Sequence, residues 1–473
     1  MSKIQLHVVL NPASGLPGLS RTLFENQIAP LLVQHSHINV VKHETRSEGD
    51  GVRIGREVRD AIAQSFSPFP TVYTVLLGGD GTTHEFLNGL ILKEEDSESS
   101  EASLIDVQLA MVPTGTANAL YAGLYPPGSE GTHESSDGQG EHDWRLRSVR
   151  ALLNSLKMTD ANSTTAPPSA LVPLTLTRTS ATPVRSGDGD NEGPGSSQRT
   201  SLAHIITSHA LHAAILHDSE ALRAEFPGIE RFKMAAQKNA TVWVSGKLVL
   251  KPSSAGTLSV YDPTTDGFQT LSEEKATLEG PFLYLAALTT DRLEPTFVPG
   301  PFSVTAALSR AESSSGSTNP HPRPPSSLDI VAIRPLRSPA VSSSAASSSS
   351  PSWATSDAAQ DVRLQFALGA LTKITQLMYD NGKHVYLTYP ASSDASSSTE
   401  GGKSKTAVQE EVLEERGSGV AVVEYFRCGG YEWQPAADDA QAKLTCIDGT
   451  VLRASKTEVE VLRDWADKVG VWR

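Results

Sequence analysis

Thr71-Val-Tyr-Thr-Val-Leu-Leu77 runs without a spacer into Gly78-Gly79-Asp80-Gly81-Thr82-Thr83, and then into His84-Glu85-Phe86-Leu87-Asn88-Gly89-Leu90. An apolar run rich in β-formers, a tight glycine loop and a segment with helical apolar spacing read as strand, turn and helix. Gly78, Gly79 and Gly81 leave backbone N–H groups free to approach an anion, and the helix N-terminus that follows favours negative charge. The same architecture repeats at once. Val107-Gln-Leu-Ala-Met-Val112 reads as a strand, and Pro113-Thr114-Gly115-Thr116-Ala117-Asn118 turns into Ala119-Leu120-Tyr121. Two glycine turns at the carboxyl ends of neighbouring strands describe a crevice that holds phosphates.

Upstream, Ile4-Gln-Leu-His-Val-Val-Leu10 is a strand ending in Asn11-Pro12-Ala13-Ser14-Gly15. Asn11 and Ser14 either hydrogen-bond a ligand or cap the helix that runs from Leu19 to about Gln34. A short strand, Asn39 to His43, leads through the turn Glu44-Thr45-Arg46-Ser47-Glu48-Gly49-Asp50 to a helix from Gly51 to about Gln64. Strands alternating with helices predict an α/β domain with a doubly wound parallel sheet. A helix from Trp144 to about Met158 closes it, giving a first domain over residues 1–160. The acidic run Lys93 to Glu101 reads as a solvated loop, and His133 and His142 have no ligand spacing.

Downstream the pattern changes to short strands separated by turns: Leu171–Leu176, Ser201–Ile206, Thr241–Val244, Lys247–Leu250, Phe282–Ala286 and Leu328–Ile333. Val420–Phe426, Tyr431–Gln434, Lys443–Ile447 and Val459–Leu462 continue it, with helical interludes at Ser219–Lys238 and Leu364–Tyr379. Residues 165–473 are therefore expected to form an all-β antiparallel sandwich, with a cleft against the first domain for a second substrate. The polar, small-residue stretches 178–200, 308–327, 338–360 and 391–418 read as loop insertions that bury too little apolar surface to order themselves.

Composition narrows the function. The 473 residues carry 40 Lys plus Arg against 54 Asp plus Glu, a formal net charge of −14, which argues against non-specific nucleic-acid binding. Cys428 and Cys446 are the two cysteines, so neither a disulfide framework nor a cysteine zinc site is expected. The N-terminus lacks the apolar core of a signal peptide and no apolar run is long enough to span a bilayer. The expectation is a cytoplasmic protein, at most peripheral to an intracellular membrane.

These motifs carry a family resemblance. Asn11-Pro-Ala-Ser-Gly15, the Gly78–Gly89 segment and Pro113-Thr-Gly-Thr-Ala-Asn-Ala119 resemble the lipid kinases with a diacylglycerol kinase catalytic domain, and among them most of all the sphingosine (sphingoid long-chain base) kinases. Asp218-Ser219-Glu220-Ala-Leu-Arg223, Arg231-Phe232, Leu328–Arg334, Val423–Arg427 and Cys446-Ile-Asp448-Gly449 are similar to further segments of that family, in the family's order. The resemblance implies a nucleotide domain of the phosphofructokinase and NAD-kinase type followed by a lipid-presenting β-sandwich. It also implies ATP and Mg2+ as cofactors, a lipid substrate, and hence transient contact with a membrane surface.

Phosphoryl transfer needs donors on the phosphates, a divalent metal and an oriented acceptor. The loops at Gly78–Thr82 and Gly115–Ala117 supply the first. Asp80 sits where a carboxylate has little reason to face phosphates unless it works; the resemblance makes it the base for the acceptor hydroxyl, with metal holding and a simple Asx turn as the other assignments. By resemblance, nucleotide contacts fall on Asn11, Pro12, Ala13, Ser14, Thr45 to Gly49, Gly78, Gly79, Gly81, Thr82, Glu85, Gly115, Thr116, Ala117, Arg223, Arg231 and Asp448. Guanidinium forks match phosphate oxygens, although on residue type alone Arg223 and Arg231 are surface helix charges.

Several positions depart from the family pattern. Ala117 stands where glycine is usual, Thr450 where a glutamate is usual, and two extra residues separate Arg223 from Arg231. Leu216 occupies the position of an aspartate that reads the sphingoid amine, leaving His212, His217 or Asp218 as substitutes. The reading is a kinase for a lipid hydroxyl, a sphingoid base first. Diacylglycerol, a soluble acceptor as in NAD kinases, and an inactive nucleotide- or lipid-binding scaffold are the rivals.

Overall fold

The computed structural model describes residues 3–64, 70–92, 105–127, 143–158, 170–184, 198–226, 228–312, 319–348, 353, 356–391 and 412–473. The acidic run at 93–101, His133 and His142 lie outside these. Strands β1 (Ile4–Leu10), β2 (Ile38–Glu44), β3 (Thr71–Gly78) and β4 (Asp106–Pro113) are all parallel and lie in the order β2-β1-β3-β4. Their near-continuous Val, Leu and Ile content is what a sheet covered on both faces requires. Helices α1 (Leu19–Leu23) and α2 (Ala29–Val33), joined by a π turn, cover one face together with α6 below, packing Leu23, Ile28 and Leu32 against Leu6, Val8 and Val75. Helices α3 (Asp50–Ala63) and α4 (Asp80–Ile91) cover the other, with Ile54, Val58, Phe86 and Leu90 against Val9, Val72 and Leu76. The short α5 (Ala119–Leu124) follows β4, and α6 (Arg147–Met158) buries Leu152, Leu153 and Leu156. The doubly wound sheet forms as expected.

The second domain begins with β5 (Leu171–Pro173), β6 (Thr177–Pro183), β7 (Arg199–Ala203) and β8 (Ile206–His209), followed by helices α7 (Ala210–Ala221) and α8 (Glu230–Asn239). It continues with β9 (Gly246–Lys251), β10 (Ser259–Asp262), β11 (Gly267–Thr270), β12 (Thr277–Glu279), β13 (Tyr284–Leu288) and β14 (Leu328–Ile333). A small pair, β15 (Leu387–Thr388) and β16 (Glu414–Glu415), precedes β17 (Glu424–Cys428), β18 (Gly430–Pro435), β19 (Leu444–Ile447), β20 (Thr450–Val461) and β21 (Val469–Trp472). Thirteen of these strands form one antiparallel sheet, with the main path β11-β10-β17-β14-β13-β8-β19-β20-β18-β9-β12. The sheet curls so that its two halves face each other across Leu248, Leu285, Ile330, Phe426, Tyr431 and Trp433. The expected sandwich is thus a single sheet folded over on itself, a common answer to strong strand twist.

Several features depart from the expectations; the stretch 338–360, read as a loop insertion, contains a helix over Pro339–Ala346 that buries Val341. β21 returns to the first sheet, parallel to β4, and β5 pairs antiparallel with β21, so that sheet draws two of its six strands from beyond residue 160. Residues 178–183, at the start of the stretch 178–200 read as a loop insertion, belong to strand β6: Thr177, Thr179 and Ala181 alternate inward and the backbone pairs with β20 and β7. Arg323, in another such stretch, is fully buried and donates to the carbonyls of Ser303 and Thr289 and to Thr175 Oγ1.

Buried histidines predict acid lability. Burial, with a contribution from neighbouring His43, lowers the pKa of His7 to about 4, and burial lowers His209 and His384 to about 3. In the unfolded chain each titrates near the ordinary histidine value of about 6.5. Below that pH the unfolded state binds more protons than the folded one. Stability is therefore complete above about pH 6.5 and is lost as pH falls toward 4, by up to about 1.4 kcal/mol per pH unit for each histidine. Thermal unfolding followed from pH 7 to pH 5 should show a falling midpoint; a level midpoint over that range would refute the assignment.

Candidate active site

The carboxyl ends of β1 to β4 bring the glycine loops together. Asn11 donates its backbone N–H to Leu77 O (2.9 Å) and its side-chain amide to Thr82 Oγ1 (2.9 Å), tying the first turn to the Gly78–Thr82 loop. Its Oδ1 accepts from Ala13 N (3.1 Å), so Asn11 also shapes its own turn. Thr45 N–H reaches Leu10 O (2.9 Å), bringing the Thr45–Gly49 loop beside them. Gly79 and Gly115 meet back to back: a Cβ on Gly115 would lie 2.6 Å from the Cα of Gly79, so no side chain fits between the loops. Gly81 and Thr116 are exposed, and Pro12, Ser14 and Ala117 half-buried. No protein acceptor takes the N–H groups of Thr116 or Ala117 among the described residues. The positive φ in this turn falls on Asn118 (51°), not on Ala117, so alanine is accommodated without backbone strain.

Asp80 opens α4 and spans to the second loop. Its carboxylate accepts from Ala119 N (2.7 Å) and Leu120 N (3.1 Å), holding the first turn of α5. Burial raises its pKa above the ordinary carboxylate value, aided by the charge of Asp448 and opposed by His204 and the two N–H donors. Glu85, on the same helix, faces the other way: its two oxygens accept from Gly49 N and Gly51 N (both 3.0 Å) and order the Thr45–Gly49 loop.

Helix α4 also carries the joint between the domains. It is buried nearly all round, and its polar His84 and Asn88, four residues apart, share one face. Asn88 Oδ1 accepts from Leu202 N (2.8 Å) while its Nδ2 donates to Leu202 O (3.1 Å), so the amide pairs with β7 as another strand would. His84 Nδ1 lies 3.2 Å from Asp448 Oδ2.

Asp448 is fully enclosed. It sits with Gly449 in the β19–β20 turn, φ 45° and 97° in succession, the backbone an Asp-Gly hairpin turn adopts. Its Oδ2 accepts from His204 N (2.8 Å) and His204 Nδ1 (2.7 Å), and its Oδ1 from Ile205 N (3.0 Å) and Ile206 N (2.9 Å). Burial opposes the charge, but His204 and His84 outweigh it and hold Asp448 well below the usual carboxylate range. Burial likewise opposes charge on His204, yet the adjoining carboxylates of Asp448 and Asp80 raise its pKa. His84, His204 and Asp448 are within reach of a shared cation, but their spacings are those of hydrogen bonds, and N–H donors occupy both carboxylate oxygens. They make an ionic joint, not a metal centre. Thr450, the departure from glutamate, is exposed at the start of β20.

The remaining expected residues lie on the α7–α8 corner. Arg223 is exposed and paired with Glu220 (3.0 Å), and Arg231 is buried with its guanidinium over the Phe232 ring. Among the described residues neither has a hydrogen bond or ion pair to the glycine loops. Leu216 packs against Leu444 and Cys446. Asp218 accepts from Lys238 (2.8 Å) and Asn239 (2.9 Å) with His217 beside it, and its pKa is lowered to about 2. His212 Nδ1 lies 2.7 Å from Ser208 Oγ, and burial lowers its pKa to about 4.

Sequence reasoning did not single out His84, Asn88 or His204. Polar residues four apart on an otherwise apolar helix were the available sign for the first two. His204 falls in a two-residue bend between β7 and β8, which read as a single strand.

Comparison with known proteins bears on the first half of this site. Residues 5–142 match the family model of the diacylglycerol kinase catalytic domain. The chain is 32% identical over 120 residues to the mitochondrial acylglycerol kinase of Xenopus laevis, covering 25% of this chain and 24% of that protein. It thus spans about a quarter of the length of the curated relative it matches. Among solved structures, a Bacillus anthracis str. Sterne protein provisionally named a diacylglycerol kinase shows 11% identity over 98% of this chain and 95% of its own, with a TM-score of 0.47. Yeast NADH kinase shows 10% identity over 100% of this chain and 83% of its own, with a TM-score of 0.34. This match bears out the resemblance to the diacylglycerol kinase catalytic domain that the glycine–aspartate motif carries. Among the described residues, no helix is long and apolar enough to cross a membrane.

Proposed function

We propose that this protein is an ATP-dependent lipid kinase that transfers the γ-phosphate to a lipid hydroxyl, working peripherally at a membrane surface. Asp80 carries the reading. It joins both glycine loops, its carboxyl is raised in pKa, and it lies beside the joint with the second domain. In the step proposed, the acceptor O–H gives its proton to the Asp80 carboxylate. The freed electron pair bonds the γ-phosphorus as the bond to the β–γ bridging oxygen breaks, and ADP leaves with those electrons. The exposed glycine turns bind the phosphates, and the second domain excludes water from the transferring group.

Magnesium is the cation the resemblance implies. Among the described residues, Asp80 and Glu85 place carboxylates beside the glycine loops; each oxygen accepts one N–H and keeps a second lone pair, so either would add a ligand to a cation held chiefly by the nucleotide phosphates, polarising the transferring group.

The acceptor follows from α7. A sphingoid base presents an ammonium group, which needs an available carboxylate. Leu216 is a partly buried leucine packed against Leu444 and Cys446, and Asp218 is already held by Lys238 and Asn239. A neutral glycerolipid, such as diacylglycerol, is therefore the better acceptor, and a sphingoid base the second reading. Transfer of labelled phosphate from Mg-ATP to sphinganine, sphingosine, phytosphingosine, diacylglycerol, monoacylglycerol, ceramide and NAD tests both. Product from glycerolipids alone is expected. Product from sphingoid bases would restore the second reading, product from NAD alone would indicate a soluble acceptor, and ATP binding without any product would indicate a scaffold.

A further inference from the structure

One polar atom beside the proposed reaction centre has no protein partner. His204 is 1% exposed, and with Nδ1 committed to Asp448 its Nε2 is buried without a hydrogen bond among the described residues. A buried imidazole edge without a partner is costly, and one that also lines a cavity is a place a ligand atom can fill. His204 also lines a small, partly open cavity of about 40 Å³, shared with Leu120, Leu124, Leu174, Thr289 and Thr305. Leu120 is the residue whose N–H is held by Asp80, so cavity and base meet at the first turn of α5. The lining is mainly apolar, with a few hydroxyls, which suits the carbons next to a lipid hydroxyl better than a nucleotide.

We propose that His204, positioned by Asp448, is the residue that binds the acceptor lipid: its Nε2 hydrogen-bonds an oxygen of the lipid beside Asp80, and the cavity receives the adjoining carbons. The inference rests on the lipid-kinase reading. Two neighbours support it. Asp448, with five N–H donors on it, fixes the ring edge, as a partner carboxylate does for a working histidine. The charges of Asp448 and Asp80 raise the pKa of His204 against burial; a protonated ring donates from Nε2 to a hydroxyl or ester oxygen, and a neutral ring with its proton on Nδ1 accepts there from the lipid hydroxyl.

The test separates the two edges of the ring. In His204→Asn the amide reaches the position of Nδ1 and keeps the bond to Asp448, but nothing replaces Nε2. In His204→Gln the amide reaches the position of Nε2. With 1,2-dioctanoylglycerol as acceptor, His204→Asn should raise the lipid KM about tenfold, the loss of roughly one hydrogen bond, with the KM for ATP and the thermal midpoint near wild type. His204→Gln should recover most of that loss. A merely structural histidine predicts the reverse order, with asparagine the better replacement, and that result would overturn the proposal, as would an unchanged lipid KM in both. Should the wild type transfer no phosphate, the kinase reading falls, and equilibrium binding of dioctanoylglycerol decides this one. Weaker binding by His204→Asn alone supports it, and equal or absent binding overturns it.

Discussion

Asp80→Asn is expected to bind ATP as the wild type does while transferring phosphate about 10²–10⁴-fold more slowly, the usual worth of a positioned general base. The substitution is close to isosteric. Its remaining oxygen can accept from Ala119 N or Leu120 N, and its new amide faces the other donor, a local cost of about 1–3 kcal/mol. Unfolding by heat measures that cost separately from catalysis. If Asp80 only caps α5, the second glycine turn loosens in the variant and ATP affinity falls together with rate. If Asp80 is the base, rate falls alone. A wild-type pH profile gives a second view, because the base acts ionised and burial raises its pKa. Activity should therefore fade with acid at a pH above the ordinary aspartate range, and Asp80→Asn should lose that limb. A variant that keeps more than a tenth of wild-type turnover would remove Asp80 from the chemistry.

The nucleotide half of this arrangement was open to reading because its information is local. A β-rich run, three glycines within four positions and an amphipathic continuation dictate strand, turn and helix whatever surrounds them, and parallel strands place their turns at one edge. The second half depends on partners far along the chain. Val469–Trp472 has no periodicity to distinguish it from the strands of the curled sheet, yet it pairs with β4. The Thr- and Ser-rich residues 178–183 look like linker until β20 supplies a ladder 270 or more residues away. Asp448 reads by resemblance as a nucleotide contact; that it sits in a hairpin turn and reaches back to His204 is set by tertiary packing, which composition cannot express. Leu216 reads as a missing amine contact, whereas in the fold it packs, partly buried, against Leu444 and Cys446 of β19. Local rules recovered the two glycine turns; the second half of the chain was written in long-range contacts.

Asp448 gives the sharpest contrast between the two kinds of reading. The family resemblance makes it a nucleotide contact, whereas its surroundings make it the buried acceptor for three backbone N–H groups and two imidazoles. Removing one partner of a buried ionic cluster leaves the others uncompensated, at a cost of about 3–5 kcal/mol. Asp448→Ala should therefore be severely destabilised. Asp448→Asn is the more informative variant: one oxygen can still accept from Ile205 and Ile206, while the amide meets the donors of His204 and His84. It should unfold at a markedly lower temperature than the wild type and show a raised KM for lipid, because the ring of His204 loses the charge that orients it. Combined with His204→Gln, whose amide reaches the Nε2 position and gives up the Nδ1 contact, its effects on stability should fall short of additive, with a coupling of about 0.5–3 kcal/mol, since both changes break the same bond between residues 204 and 448. ATP affinity, measured on the folded fraction, should stay within a few-fold of wild type. The opposite pattern, weaker ATP binding with stability intact, would return Asp448 to the nucleotide and leave the joint between the domains to Asn88 alone.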